Sequence, residues 1–212
     1  MLQKLAHMLA RVHHLQVPIR KEHSTFFSQT AAHLEGVLSD DRAEKLIEKN
    51  NLKVLSVEGV KKEYEELQQR VKDARVKTVF CYNDFRGSNI LVSNTEPGKI
   101  VFTDLEYAGY GSRGMDICIY MHEWGKPSLS DMENRALAPD EVIRHFLSLY
   151  LEGVDLVKPG YSKRPGNGVE DILKEVKIAT LQMGLFSVLM MMNMRKSIID
   201  LVPYNPDGLM VS

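Results

Sequence analysis

Cysteine is scarce in this chain: Cys81 and Cys118 are the two thiols in 212 residues. So few cannot staple a small secreted scaffold, and their usage fits a reducing compartment, so a cytoplasmic location is expected. Charge of one sign is lacking too, with 27 Lys and Arg against 28 Asp and Glu for a formal net charge of -1. That balance argues against a dedicated nucleic-acid binder, which shows a basic stripe, and points to small solutes as partners. Long apolar runs are almost missing. The one candidate, residues 179–194, is interrupted by Gln182, Ser187 and Asn193 and is too short for a bilayer, so a buried helix and no membrane span are expected. The first 21 positions lack acids and carry Lys4, Arg11, Arg20 and Lys21, as an organelle presequence would. They also lack serine, and Leu2, Leu5, Leu9, Val12 and Leu15 form a helical stripe, so a structural helix is the expectation. No internal repeat or low-complexity tract occurs.

What is present suffices for one sizeable core. With 44% of residues hydrophobic, the chain reads most simply as one domain across 1–212. Helical periodicity predicts helices over 2–15, 21–37 and 41–49, a charge-rich solvated one over 57–75, then 113–124, 138–151 with Pro139 at an early position, and a long last helix over 169–199. Strand-like runs occupy 78–81, 89–93 and 99–103. NTEPG at 94–98 reads as the hairpin turn between the last two, because Pro and Gly supply the dihedrals of a reversal. A Pro, Gly and Ser-rich loop spans 159–168, and PYNPDG ends the last helix. The expected fold class is α+β, mostly α, with a small β-hairpin layer.

Residues 80–124 concentrate the chemistry. Asp84 is followed five residues on by Asn89, and the 99–103 strand delivers Asp104 and Glu106 at its end. Protein kinases use the same D-x-x-x-x-N spacing, with a second Asp on the next hairpin, to place a catalytic Asp and two magnesium ligands. Phosphoryl transfer needs positioning and hard oxygen ligands, and Mg²⁺ takes one or two carboxylates while keeping several waters. Alone, Asp84 reads as a turn residue; with Asn89 and Asp104 at this spacing, the metal and phosphate reading is the stronger. GYGSRG at 109–114 satisfies G-x-G-x-x-G literally, but Asp104 and Glu106 just before it would repel a pyrophosphate, and no ribose-binding acid follows on a second strand. MHEWGK lacks the second His of H-E-x-x-H. His13 and His14 have no partner at a metal-ligand spacing and read as ordinary surface or packing histidines.

Two motifs in order, YNDFRGSNIL at 82–91 and TDLEYAGYGSRGMDICIYMHEW at 103–124, carry a family resemblance. They are similar to the HNDxxxxNIL and IDFEYxxYNxRGxDIxxHFxEW of the choline/ethanolamine kinase family, a branch of the protein-kinase-like fold. Asp84, Asn89, Asp104, Glu106, Tyr107, Arg113, Gly114, Asp116, Glu123 and Trp124 are in place; Tyr82 stands for His, Arg86 for Gln, Ser88 for Gly and Gly111 for Asn. AHMLARVHHLQVP at 6–18 is similar to a helix of the family's large lobe. The resemblance therefore implies a large, C-terminal lobe. The small lobe is absent, since the residues before the loop read as helices with no glycine-rich hairpin and no strand Lys with a helical Glu partner. A fragment, a short isoform or a domain that has lost full activity is expected.

The resemblance also implies roles. Asp84 is the group that orients or deprotonates the substrate hydroxyl; Asn89 and Asp104 are the Mg²⁺ ligands; Glu106 and Arg86 stand one layer out, Glu106 reaching the metal through water or pairing with an Arg. Arg113 and Asp116 are structural support, Asp116 holding backbone N–H groups of the loop. Glu123 faces the cationic head of an amino-alcohol, and Trp124 beside it is expected there or, preferably, in the core. Met183 and Phe186, in LQMGLFS where the family shows FFWGLWS, fall at the positions of two Trp that line the choline pocket. That reduced aromatic box leaves ethanolamine, or no substrate, in play. The implied activity moves the γ-phosphate of ATP, with Mg²⁺, to the hydroxyl of choline or ethanolamine, toward phosphatidylcholine or phosphatidylethanolamine. The alternative is a catalytically impaired fragment or pseudokinase acting as a binding or regulatory partner, in a homodimer or in a heterodimer with a kinase of the same family. A kinase of another small alcohol or of an aminoglycoside is opposed by the EY…RG…D…EW string.

Overall fold

Apolar residues three and four apart set the helices of this chain. The computed structural model describes residues 1–21, 25–39, 41–96, 98–125 and 137–199. In order come α1 (Leu2–Val12), α2 (Thr25–Leu38), α3 (Arg42–Lys49), α4 (Val57–Asp73), β1 (Thr78–Cys81), β2 (Ile90–Val92), β3 (Ile100–Phe102), β4 (Gly109–Ser112), α5 (Arg113–Glu123), α6 (Asp140–Val157) and α7 (Val169–Ile199). A single 3-10 turn, Gly87–Asn89, precedes β2. The fold is α+β, mostly helical with small antiparallel sheets.

The chain divides into two compact units, Met1–Phe26 with Arg70–Leu181, and Phe27–Gln69 with Gln182–Ser212. In the first, α1 buries Leu5, Ala6, Leu9 and Ala10 along α6. It ends at Val12, short of the expected Leu15, where the His14 Nδ1–H donates to the Ala10 carbonyl at 2.8 Å and satisfies one of the free carbonyls of the last turn. α6 opens with Asp140 and Glu141, whose charge suits a helix N-terminus, and buries Ile143, Phe146, Leu147, Tyr150, Leu151 and Val154. The two helices approach closely because Gly153 has no side chain: a Cβ there would stand 2.8 Å from the His7 Cα. β1 pairs antiparallel with β4, Cys81 opposite Gly109, and β2 with β3, Ile90 opposite Phe102.

The second unit has its own core of Leu34, Val37, Ala43, Val60, Leu189 and Met192. Within it Asn193 Nδ2 donates to the His33 carbonyl at 2.6 Å, and the His33 ring meets Phe186 edge-on at 5.4 Å. The apolar run that looked too short to span a bilayer belongs to a longer helix. Among the described residues, Val169–Met194 of α7 is long and apolar enough to cross a membrane by length and composition alone, with 33% of its apolar window buried. The expectation of a buried helix is thereby corrected to a one-sided one, because Leu181, Met191 and Met194 point away from the packed face and stay exposed.

Candidate functional site

β1 hands the chain to Tyr82, Asn83 and Asp84, and a buried carboxylate fixes that hand-over. Asp116, in the first turn of α5, accepts the Tyr82 N–H at 2.8 Å and the Asn83 N–H at 2.6 Å. Two buried donors that would be costly to leave unpaired are thus satisfied at once. Asn83 sits at φ 62°, a left-handed conformation that Asn tolerates better than most residues. Its Nδ2 donates to the Tyr107 carbonyl at 2.9 Å and so ties the loop to the segment beyond Asp104. The same carboxylate meets His13 Nε2 at 3.1 Å, and His13 Nδ1 meets the Tyr150 hydroxyl at 2.9 Å. His13 is therefore no ordinary packing histidine: it is buried and bonded on both ring nitrogens. Sequence reasoning missed it because its partners lie 103 and 137 residues away.

Inside the loop, Asn89 is the junction. Its Nδ2 donates to Asp84 Oδ2 at 2.5 Å and to the Asp84 carbonyl at 3.2 Å. Its own carbonyl accepts the Thr103 N–H at 3.1 Å, one residue before Asp104. The Tyr82 hydroxyl donates to the Thr103 carbonyl, and its ring stacks on Phe102 at 5.4 Å. Burial, reinforced by the charges of Asp84, Asp104 and Asp116, holds this hydroxyl above the usual tyrosine range. Asn89 thus joins Asp84 directly and Thr103, the residue before Asp104, through its backbone. Asp104 takes φ 55°, a strained backbone that the bonds on Thr103 and Tyr107 on either side of it secure.

The donors of this corner suit a hard cation. Asn89 Oδ1 receives the Ser88 hydroxyl at 3.2 Å. Asp104 and Glu106 are exposed and make no ion pair among the described residues, so the expected alternative of a Glu106 pairing with an Arg does not occur there. An amide oxygen and two unengaged carboxylates are the kind of set that Mg²⁺ accepts.

The family model for choline/ethanolamine kinase matches residues 1–206. The chain belongs to the choline/ethanolamine kinase family. Mus musculus choline kinase alpha is 30% identical over 125 residues, covering 57% of this chain and 27% of that protein. Homo sapiens ethanolamine kinase 1 is 31% identical over 110 residues, 52% of this chain and 22% of the relative. A probable ethanolamine kinase A of Dictyostelium discoideum is 26% identical over 187 residues, 86% of this chain and 48% of the relative. The chain therefore spans between 22% and 48% of the length of these relatives. Among solved structures, an ethanolamine kinase of Plasmodium vivax aligns with TM-score 0.61 at 19% identity, over 95% of this chain and 59% of that one. A choline kinase of Cryptosporidium parvum aligns with TM-score 0.58 at 18% identity, over 91% and 58%. At such identities the likeness is one of fold.

The remaining family positions fall into two groups. Glu123 Oε2, at the end of α5, accepts the Gly87 N–H at 2.7 Å, so the carboxylate lies against the loop that carries Asp84. Trp124 is 38% exposed, with its edge on Tyr120 at 6.2 Å, which corrects the expectation of a core tryptophan: α5 ends at Glu123 and the chain turns outward there. Met183 and Phe186 belong to the second unit, where Phe186 is half-buried beside His33.

Arg113 serves as scaffold with all five donors used. Nε and Nη2 reach Glu175 at 3.0 and 2.6 Å, Nη1 reaches the Tyr161 hydroxyl at 2.9 Å and Asn167 Oδ1 at 3.0 Å, and Nη2 also reaches the Gly166 carbonyl at 3.2 Å. Burial opposes its charge, but the fork on Glu175 outweighs that and holds the guanidinium above its ordinary range.

Two decoys resolve in the family frame. The ligand atoms of His13, Cys81 and Asp116 lie within 4.8 Å of one another, yet Asp116 and His13 are fully engaged, and burial with the Asp116 charge pushes the Cys81 thiol far up, so it stays protonated. The trio supports structure. GYGSRG begins as β4, whose four residues are all buried, and offers no open face to a phosphate.

Proposed function

We propose that this chain works as the large lobe of a choline/ethanolamine kinase and moves the γ-phosphate of ATP to the hydroxyl of choline or ethanolamine. One observation carries the reading: Asn89 bonds Asp84 through its side chain and the residue before Asp104 through its backbone, so loop and hairpin share one corner. In this reading Asp84 orients the substrate hydroxyl and takes its proton as the new O–P bond forms and ADP leaves. Asn89 and Asp104 would hold Mg²⁺, with Glu106 and Arg86 beside them; the ion supplies charge neutralisation on the phosphates when bound. Glu123 and Trp124 are the proposed contacts of the cationic head. The product feeds phosphatidylcholine or phosphatidylethanolamine synthesis, and two free buried thiols suit the cytoplasm as the place of work.

A second reading is a catalytically impaired partner that pairs with another copy or with a complete kinase of the family. It is favoured by the state of Asp84, whose two oxygens are engaged by Asn89 and Arg86. The test is ADP release by the purified chain with MgATP and either amine, beside an Asp84→Asn control. The phosphotransferase reading expects amine-dependent release that the substitution lowers by about a hundredfold or more. Release no greater than the control leaves the partner reading.

A further inference from the structure

We propose that Arg86 faces the phosphate that is transferred and supplies positive charge to it. The inference rests on the phosphotransferase reading above and adds a residue that the family pattern, with Gln at this position, does not provide. Arg86 sits at the centre of the turn between Asp84 and Asn89: its N–H donates to the Asp84 carbonyl at 2.8 Å, and its own carbonyl accepts the Asn89 N–H at 3.0 Å. The base of the side chain is therefore fixed beside the corner that would hold metal and phosphate.

The guanidinium is placed but not used up. Nε lies 3.1 Å from Asp84 Oδ1, close enough for an ion pair, yet that N–H is buried without an aligned acceptor. Charge, rather than a directed bond, keeps it there. The side chain is 39% exposed, and its two terminal nitrogens have no hydrogen-bond partner among the described residues. Arg113, by contrast, has every donor committed to Glu175, Tyr161, Asn167 and Gly166. Lys77 is spent on Asn167.

Charge decides what such a fork is for. Asp84 and Asp104 both put negative charge near the Tyr82 hydroxyl, and a nucleoside triphosphate would bring more. In the transition state of phosphoryl transfer that charge spreads over the equatorial oxygens of the moving group, and a planar guanidinium with two open N–H edges matches them in shape and sign. A phosphate that drew the guanidinium away from Asp84 Oδ1 would leave that oxygen to the substrate hydroxyl.

Calorimetric titration of the full chain and of Arg86→Gln with MgATP and with MgADP tests this. The γ-phosphate is the difference between the two ligands, so the substitution should weaken MgATP about tenfold while leaving MgADP within about twofold. Loss of affinity for both alike, or for neither, overturns the inference while the reading of the site stands. Absence of any nucleotide binding by the unsubstituted chain overturns both.

Discussion

His13 Nε2 lies 3.1 Å from Asp116 Oδ2, with neither side chain exposed at all. The contact joins the end of α1 to the start of α5, and the same carboxylate oxygen also takes the Tyr82 N–H, so the residue that sets the backbone before Asp84 is itself held by His13. Substituting Asp116 by Ala strands the Tyr82 and Asn83 amides and His13 Nε2 together. A loss of about 2–4 kcal/mol is expected in urea unfolding, with faster hydrogen exchange at those two amides. A loss under about 1 kcal/mol would show that water replaces the carboxylate.

What the sequence disclosed was what lies close in sequence. Asp84 and Asn89 share one loop, and the Pro and Gly of the NTEPG turn announced the reversal that pairs β2 with β3 and sets Thr103, just before Asp104, against Asn89. β4 stayed hidden because Gly109, Tyr110, Gly111 and Ser112 lack the β-branched residues of a strand and are held by β1, a distant partner. His13, Tyr150 and Glu175 stayed hidden for the same reason: each is defined by a bond across the fold, and helical periodicity reports which face is buried, not which buried atom is bonded. Trp124 misled because a large ring reads as core until the end of α5 is known.

Arg113 and Glu175 offer a second test. Removing either partner leaves the other as a buried charge, so Arg113→Met or Glu175→Met alone should cost about 3–5 kcal/mol. Because the pair also carries the cost of its own dehydration, the double substitution should cost clearly less than the two singles added together. Chemical denaturation of the four proteins closes the cycle. Additive losses would mean that Tyr161 and Asn167, not Glu175, hold the guanidinium.

Alkali should destabilise the fold before acid chemistry of the site comes into question. Burial raises the Cys118 thiol from its ordinary 9.0 to about 12, and burial lifts Cys81 and Tyr150 well above their ordinary ranges. Between about pH 9 and 12 the unfolded chain sheds protons that the folded chain keeps, so the unfolded state binds fewer and stability falls as pH rises. Urea midpoints should hold near pH 8 and drop across that window, and Cys118→Ser should flatten part of the drop. A midpoint that is constant up to pH 11 contradicts the assignment.

Two glycines should respond in opposite directions. A Cβ on Gly114 would stand 2.6 Å from the Glu175 carbonyl carbon and oxygen, both backbone atoms that cannot step aside, so Gly114→Ala should cost about 1–3 kcal/mol. Gly184 has nothing within 4 Å of such a Cβ and lies inside α7, so Gly184→Ala should stabilise by about 0.5–1 kcal/mol through helix propensity. Thermal unfolding of the two variants side by side reads both signs.

Glu123 has two claims on its carboxylate, and substitution separates them. Its Oε2 holds the Gly87 N–H at 2.7 Å on the exposed side of the loop, where water is a ready substitute. Gln keeps an acceptor for that amide but carries no charge, whereas Ala keeps neither. If the bond to Gly87 is the whole of its role, Glu123→Gln is silent and Glu123→Ala costs about 1 kcal/mol of stability. If the carboxylate also meets the ammonium head of the amine, both variants should bind choline or ethanolamine about tenfold more weakly, Gln included, because a neutral amide gives up the charge that recognises a cation. Calorimetric titration with each amine in the presence of MgATP distinguishes the cases. Wild-type affinity in Glu123→Gln would confine the residue to fastening the loop that carries Asp84.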